Sequence, residues 1–306
     1  METVFISVIT LFIFLGIGFV MAKCGMVKEE HSEVLSRLLV WVFLPANIIK
    51  TFSVNCSVGY LRANYTTVLV SLAILVLIVV IMHFAAKCLA KDKTERAVYE
   101  YSLIIPNFGY MGYALIETVL GETALMNTMM FTIPMSLYTY TVGFCSLSGK
   151  KFSPRGLLNP TLISLVIGIL FGVSGLFTYM PDGLHGTVMG VLDNASVCMG
   201  PVSMILTGIV ISGFKLADVL TDKKAYLISV VRLVIIPLAV GGALMLAGLN
   251  AIIPYAVLLY AMPCGLNTVV FVKNAGGDPR YGARLALISS VLVCLTAPLV
   301  SFIMGI

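Results

Sequence analysis

Charge is scarce in this chain. Only 11% of its 306 residues are Asp, Glu, Lys or Arg, while 59% are hydrophobic and mean hydropathy is +1.05. Soluble domains carry about 25% charged residues, so a soluble fold is excluded. No polar stretch is long enough to make a separate soluble domain, which argues against a membrane sensor with an output module. The seven cysteines (24, 56, 88, 145, 198, 264 and 294) are scattered, with no CxxC and no Cys/His cluster. Neither a disulfide nor a zinc site is indicated, and the thiols read as small apolar side chains. HExxH, GxSxG, GxGD and the P-loop pattern are all missing. Intramembrane hydrolysis and ATP-driven pumping therefore lack their chemistry, so the chain is not expected to be an enzyme or to hold a cofactor or metal. A channel would show a repeated filter motif or rings of charge, and neither is present.

What fills the chain is apolar sequence in lengths that suit a bilayer. Hydropathy predicts an all-α integral membrane protein with ten spans, at 3–22, 34–54, 65–88, 98–119, 124–145, 160–179, 187–212, 224–247, 254–274 and 282–304. The first has no basic segment ahead of it and is long enough to cross, so it reads as a span rather than a signal peptide. Alternate connections are basic. Loop 1–2 carries Lys23 and Lys28, and loop 3–4 carries Lys87, Lys91, Lys93 and Arg96. Lys150, Lys151 and Arg155 mark loop 5–6, Lys215, Lys223 and Lys224 loop 7–8, and Lys273, Arg280 and Arg284 loop 9–10. Arg37 and Arg232 lie near the same ends, leaving only Lys50 and Arg62 of the 19 basic residues on the other side. The positive-inside rule then predicts a multi-pass protein of the cell (inner or plasma) membrane, with the basic loops cytoplasmic and both termini outside. The net charge of +5 reports orientation and not nucleic-acid binding.

Ten spans divide as five plus five, 1–149 and 150–306, and an odd number of crossings inverts the second half relative to the first. Prolines recur at matching places in the two halves: Pro45 and Pro201 are 156 residues apart, and Pro106 and Pro263 are 157 apart. Spans 2 and 7 are thus expected to be interrupted at Pro45 and Pro201, and spans 4 and 9 near 106–109 and 263–266. Proline frees backbone polar groups that hydrocarbon cannot satisfy. Interrupted spans in corresponding positions are the best sequence pointer to a transporter's binding site. In spans 4 and 9 the second half-helix begins near mid-bilayer, so two helix N-termini face inward from opposite sides. Free N–H groups and the positive dipole ends gather there and favour a carboxylate. Gly109 and Gly265 permit close approach, and Asn107 and Asn267 can donate and accept beside the breaks. The competing reading is that the prolines only kink packed helices and the asparagines satisfy the freed backbone.

PNFGYMGYAL (106–115) resembles the PNTLVMGIPL motif of plant auxin efflux carriers. MPCGLNTVVFVKNAGGDP (262–279) resembles their PQGIVPFVFAKEY segment, including its lysine at Lys273, and LSRLLVWVFLPANIIKTFS resembles their second span. On these motifs the chain resembles the auxin efflux carrier (AEC) family, of the bacterial malate or malonate permease-like sort. The resemblance implies ten helices with a crossover of spans 4 and 9. It also implies a scaffold of spans 1, 2, 6 and 7 that makes a homodimer through helices 2 and 7. Spans 3–5 and 8–10 would carry substrate in an elevator-like movement. Asn107 matches the family's crossover asparagine. Tyr113, Ala114, Cys264, Asn267 and Thr268 depart from the plant motifs at the expected pocket and point away from auxin itself.

The expected function is secondary active transport of a small organic anion, a mono- or dicarboxylate. The substrate-binding residues are expected to be Pro106, Asn107, Gly109, Tyr110, Tyr138, Pro263, Gly265 and Asn267. Asp193 is either a proton- or sodium-coupling group or a residue that pairs with a basic group or sits in an outer vestibule. Arg232 is either a charge that attracts an anion entering or leaving or, as the expected alternative, a side chain that snorkels to the cytoplasmic interface, so that replacing it or Lys273 alters rate more than substrate choice. The rival readings are a sodium-coupled bile-acid-like symporter and, in another class, a channel or membrane sensor.

Overall fold

The computed structural model describes residues 2–154, 158–213 and 222–306; Arg155 and Lys215, counted above among the basic residues, lie outside them. The described residues are mostly helical, joined by short non-helical stretches, without a strand. Six helices are long and apolar enough to cross a membrane: α1 (Glu2–Lys23), α2 (Ser32–Asn55), α3 (Val58–Leu89), α10 (Asp182–Ser212), α11 (Lys223–Leu246) and α14 (Arg280–Met304). The other predicted spans are built from shorter pieces. The fourth is α4 (Lys93–Ile104), a gap, a π-helical turn (Phe108–Gly112) and α5 (Tyr113–Leu120). The fifth is α6 (Glu122–Phe131), α7 (Ile133–Tyr138), a π-turn (Thr139–Gly143) and α8 (Phe144–Ser148). The sixth is α9 (Pro160–Ser174), and the ninth is α12 (Ile253–Tyr260), a gap and α13 (Asn267–Asn274).

Pro45 and Pro201 do not break their helices, contrary to the sequence expectation. Pro201 lies inside the uninterrupted α10. Beside it Ser203 Oγ donates to Gly200 O at 2.8 Å and to Tyr110 O at 3.3 Å. Pro45 sits in the first turn after a π-turn, Leu39–Phe43, whose flanking residues keep helical dihedrals. A proline ring clashes with the carbonyl four residues earlier; for Pro45 that is Trp41, inside the widened turn. Pro237 repeats the arrangement, with Leu233 inside the π-turn Val231–Ile235. The widening absorbs the clash and the helix continues.

The helices pack as two groups. α1 packs on α10, α10 on α2 and α2 on α9, and α3–α8 pack with α11–α14. Glycines set the closeness of the first group. A Cβ on Gly208 of α10 would lie 2.0 Å from Leu15 O, and one on Gly18 of α1 would lie 2.1 Å from Ile205 O. These two backbones touch, as small residues at membrane helix interfaces allow. Gly172 brings α9 equally near α2, where a Cβ would sit 2.4 Å from Phe52 O. Between the groups, α1 meets α5 and α14, while α10 meets the Phe108–Gly112 turn.

Candidate functional site

The gaps in the fourth and ninth spans meet. Asn107 N donates to Pro263 O at 2.8 Å, and Pro106 and Cys264 pair as an isolated antiparallel bridge. Backbone bookkeeping explains why this contact holds. Pro106 has no N–H, which leaves Ser102 O without its helical donor, and Asn107 N is diverted to the ninth span, which leaves Leu103 O. The two carbonyls are taken by side chains from elsewhere. Cys264 Sγ faces Ser102 O at 4.0 Å, and Arg232 Nη1 donates to Leu103 O at 3.1 Å. Across the gap, Cys264 N donates to Ser289 Oγ of α14 at 3.0 Å. Ser289→Ala should strand that buried N–H and cost about 1–3 kcal/mol, read as a lowered Tm of the purified protein; an unchanged Tm would show that this bond does not support the gap.

The first gap is shorter than expected. Residues 105–107 are non-helical, while Phe108 already begins the π-turn, so Gly109 and Tyr110 belong to the first turn of the half-helix. The second gap runs over 261–266, and Asn267 opens α13. Both half-helices therefore start at the crossing, where part of their first turn is already engaged: Phe108 N donates to Pro106 O at 2.8 Å, Thr268 N to Gly265 O at 3.3 Å and Val269 N to Leu266 O at 2.9 Å. A cleft of about 30 Å³ lies there. It is lined by Pro106, Asn107, Gly109, Tyr110, Gly265 and Asn267, which the sequence singled out, together with Thr139, Tyr140 and Thr161. Pro263 enters through its carbonyl, as the acceptor for Asn107.

Tyr138 is not among the residues lining this cleft, and Tyr140 takes the place expected for it. Successive helical residues are about 100° apart, so positions 138 and 140 face nearly opposite ways. Nothing in the local sequence separates two tyrosines two residues apart. Asn267 Nδ2 donates to Tyr101 OH at 2.9 Å, and Tyr101 OH donates to Thr139 Oγ1 at 3.4 Å. Asn107 is 5% exposed, and its side chain makes no hydrogen bond to the described residues. One asparagine is therefore structural while the other has its donors and acceptor to offer.

Arg232 departs furthest from expectation. It does not snorkel: it is fully buried in the Val231–Ile235 π-turn, with its guanidinium 5.5 Å from the Tyr260 ring centroid. Asp193 has the partner foreseen as one alternative, Lys50 Nζ at 3.0 Å, and Glu122 stands 3.9 Å from the same ammonium. These residues come from α10, α2 and α6, so one lysine joins both helix groups. At the other end a cleft of about 430 Å³, lined by Glu33, Arg37, Leu266, Val270 and Lys273 among others, runs between α2, α10 and α13. Leu266 lines both this cleft and the small one at the crossing. Among the described residues no cluster of His, Cys, Asp and Glu has the makings of a metal site.

A family model described as "Membrane transport protein" matches residues 3–154 and 144–301. An uncharacterized transporter of Methanothermobacter thermautotrophicus is 24% identical, covering 97% of each chain. Another, from Methanocaldococcus jannaschii, is 22% identical over 67% of this chain and 68% of its own.

Proposed function

This chain belongs to the membrane transport protein family, the AEC family, and is a multi-pass membrane transporter; from that footing we propose that it moves small organic anions, mono- or dicarboxylates, through the crossing of the fourth and ninth spans. The observation that carries the reading is the meeting of two half-helix starts at Pro106–Cys264, with the Asn107 amide, which makes no hydrogen bond to the described residues, beside them. Each helix start behaves as about half a positive charge. A carboxylate there would accept N–H bonds from both halves and from Asn107, with release eased because the attraction is shared among partial charges.

In this reading the chain has ten spans, with the second five inverted relative to the first, and it works by alternating access. α1, α2, α9 and α10 form the scaffold, which pairs with a second copy through helices 2 and 7, and the other group carries the crossing in an elevator-like stroke. In this reading the conformation is open to the cytoplasm, and a second cleft of about 390 Å³, lined by Lys50, Glu117 and Thr118 among others, stands at the opposite end without reaching the crossing residues. The larger cleft reaches Leu266 from the side of Arg37 and Lys273, and the Lys50 cluster latches the two groups at the opposite end. Both termini then lie outside in the cell membrane. A cysteine placed at position 150 should resist impermeant maleimide in intact cells and react after permeabilisation; labelling in intact cells would reverse the orientation.

Uptake of labelled carboxylates into proteoliposomes, with and without a Na⁺ or pH gradient, tests the function. Saturable uptake that excludes the corresponding amides is expected. Equal handling of amides would remove the anion reading, and strict Na⁺ dependence would favour the sodium-coupled alternative.

A further inference from the structure

Arg232 has no place in an anion site made of helix starts alone, yet it lies directly behind that site. Its side chain is 0% exposed, Nη1 binds Leu103 O at 3.1 Å, and Nε and Nη2 have no hydrogen-bond partner among the described residues. The ionisable groups facing it are Cys264 and Tyr260, and no carboxylate pairs with it among the described residues. The hydroxyls of Ser102, Ser229 and Tyr260 are also buried and have no hydrogen-bond partner among the described residues. Glu95, the other deeply buried charge, has a lysine, Lys224, at 3.5 Å. A guanidinium stays charged in proteins, and a buried charge without a counter-ion is costly. The C-terminal carbonyls of α4 offset only part of it.

The uncompensated remainder points at the crossing. Leu103 stands three residues before Pro106, roughly 4.5 Å of helical rise, and Cys264, which faces Ser102 O, continues directly into Gly265 of the cleft. An anion between the gaps would sit within roughly 10 Å of the guanidinium. At that distance, with an effective dielectric constant near 20, one unit charge changes affinity on the order of tenfold.

We propose that Arg232 is the fixed counter-charge of the crossing, a specificity-determining residue that favours anionic over neutral ligands without touching them. The inference rests on the anion-transport reading and reverses the expectation that replacing Arg232 alters rate more than choice. Arg232 is also a positioning residue for the end of α4, and the test separates the two roles.

Purified wild-type protein, R232Q and R232K are titrated calorimetrically with acetate, pyruvate, malonate and succinate, each against its amide. Wild type should prefer the carboxylates, R232Q should lose on the order of tenfold in carboxylate affinity with amide affinity unchanged, and R232K should retain the preference. Should R232Q fail to fold, R232M takes its place, since it removes a buried charge with two unpartnered N–H groups. A preserved preference in the neutral variant, or equal weakening of both ligand classes, overturns the counter-charge and leaves the anion reading intact. Absence of any carboxylate preference in wild type overturns the anion reading, and the counter-charge with it.

Discussion

Gly208→Val is expected to leave no folded protein. A Cβ at this position falls 2.0 Å from Leu15 O, 2.6 Å from Phe19 N and 3.0 Å from Leu15 C, all backbone atoms of α1. Flexible side chains can swing aside, but a helix backbone cannot yield locally. α1 would have to retreat along its length from α10, opening the contact that also involves Gly18 and Ile205. Overpacking in a core that can relax costs about 1–3 kcal/mol; here relaxation means separating two helices, so the cost lies above that range. Total stabilities are only about 5–15 kcal/mol. Fluorescence-detected size exclusion of the detergent-extracted protein should show the monodisperse peak lost. Gly190→Ala, in the same helix with open space around its Cβ, is the control and should be neutral or stabilise by about 0.5–1 kcal/mol. A monodisperse Gly208→Val protein would mean that α1 and α10 do not pack as described.

Asn107→Ala should abolish most transport with the fold untouched. The Asn107 side chain makes no hydrogen bond to the described residues, and its backbone bond to Pro263 O survives the substitution. Its amide is therefore available to ligand. A hydrogen bond to a charged group contributes about 1.5–3 kcal/mol, so carboxylate affinity should fall on the order of 10- to 100-fold while Tm stays within about one degree of wild type. Asn267→Ala differs in kind. It removes the donor to Tyr101 OH, so Tm should fall along with uptake, by an amount set by one buried hydrogen bond of about 0.5–1.5 kcal/mol. Wild-type uptake by Asn107→Ala would exclude this amide from the site, and an unchanged Tm for Asn267→Ala would remove the structural distinction between the two.

The prolines show how far local reading reaches. All four were legible as perturbations, because a missing N–H and a fixed φ are properties of the residue itself. Which of them open the chain was not legible. Pro106 and Pro263 open it because each gap finds new partners in the other and in Ser289, Cys264 and Arg232. Pro45 is absorbed by a π-turn, and α10 runs through Pro201 beside a glycine and a serine that binds back to it. Tyr138 and Tyr140 illustrate a second limit, since the face a tyrosine presents depends on a π-turn that begins between them.

Composition alone determined that this chain lives in a bilayer, and the spacing of its prolines, glycines and asparagines marked where its site lies. Those are properties of short segments: hydrocarbon tolerates few charges, and proline breaks its own backbone pattern wherever it stands. Arg232 marks the boundary of such reasoning. Its position near a predicted span end made snorkelling the natural expectation, because a charge in an apolar segment seeks water unless something else receives it. What receives it is Leu103 O, a carbonyl 129 residues earlier, orphaned because Asn107 N turned to a partner in the ninth span. Only the packed structure decides that exchange, since each of its bonds exists because another, far along the chain, was given up.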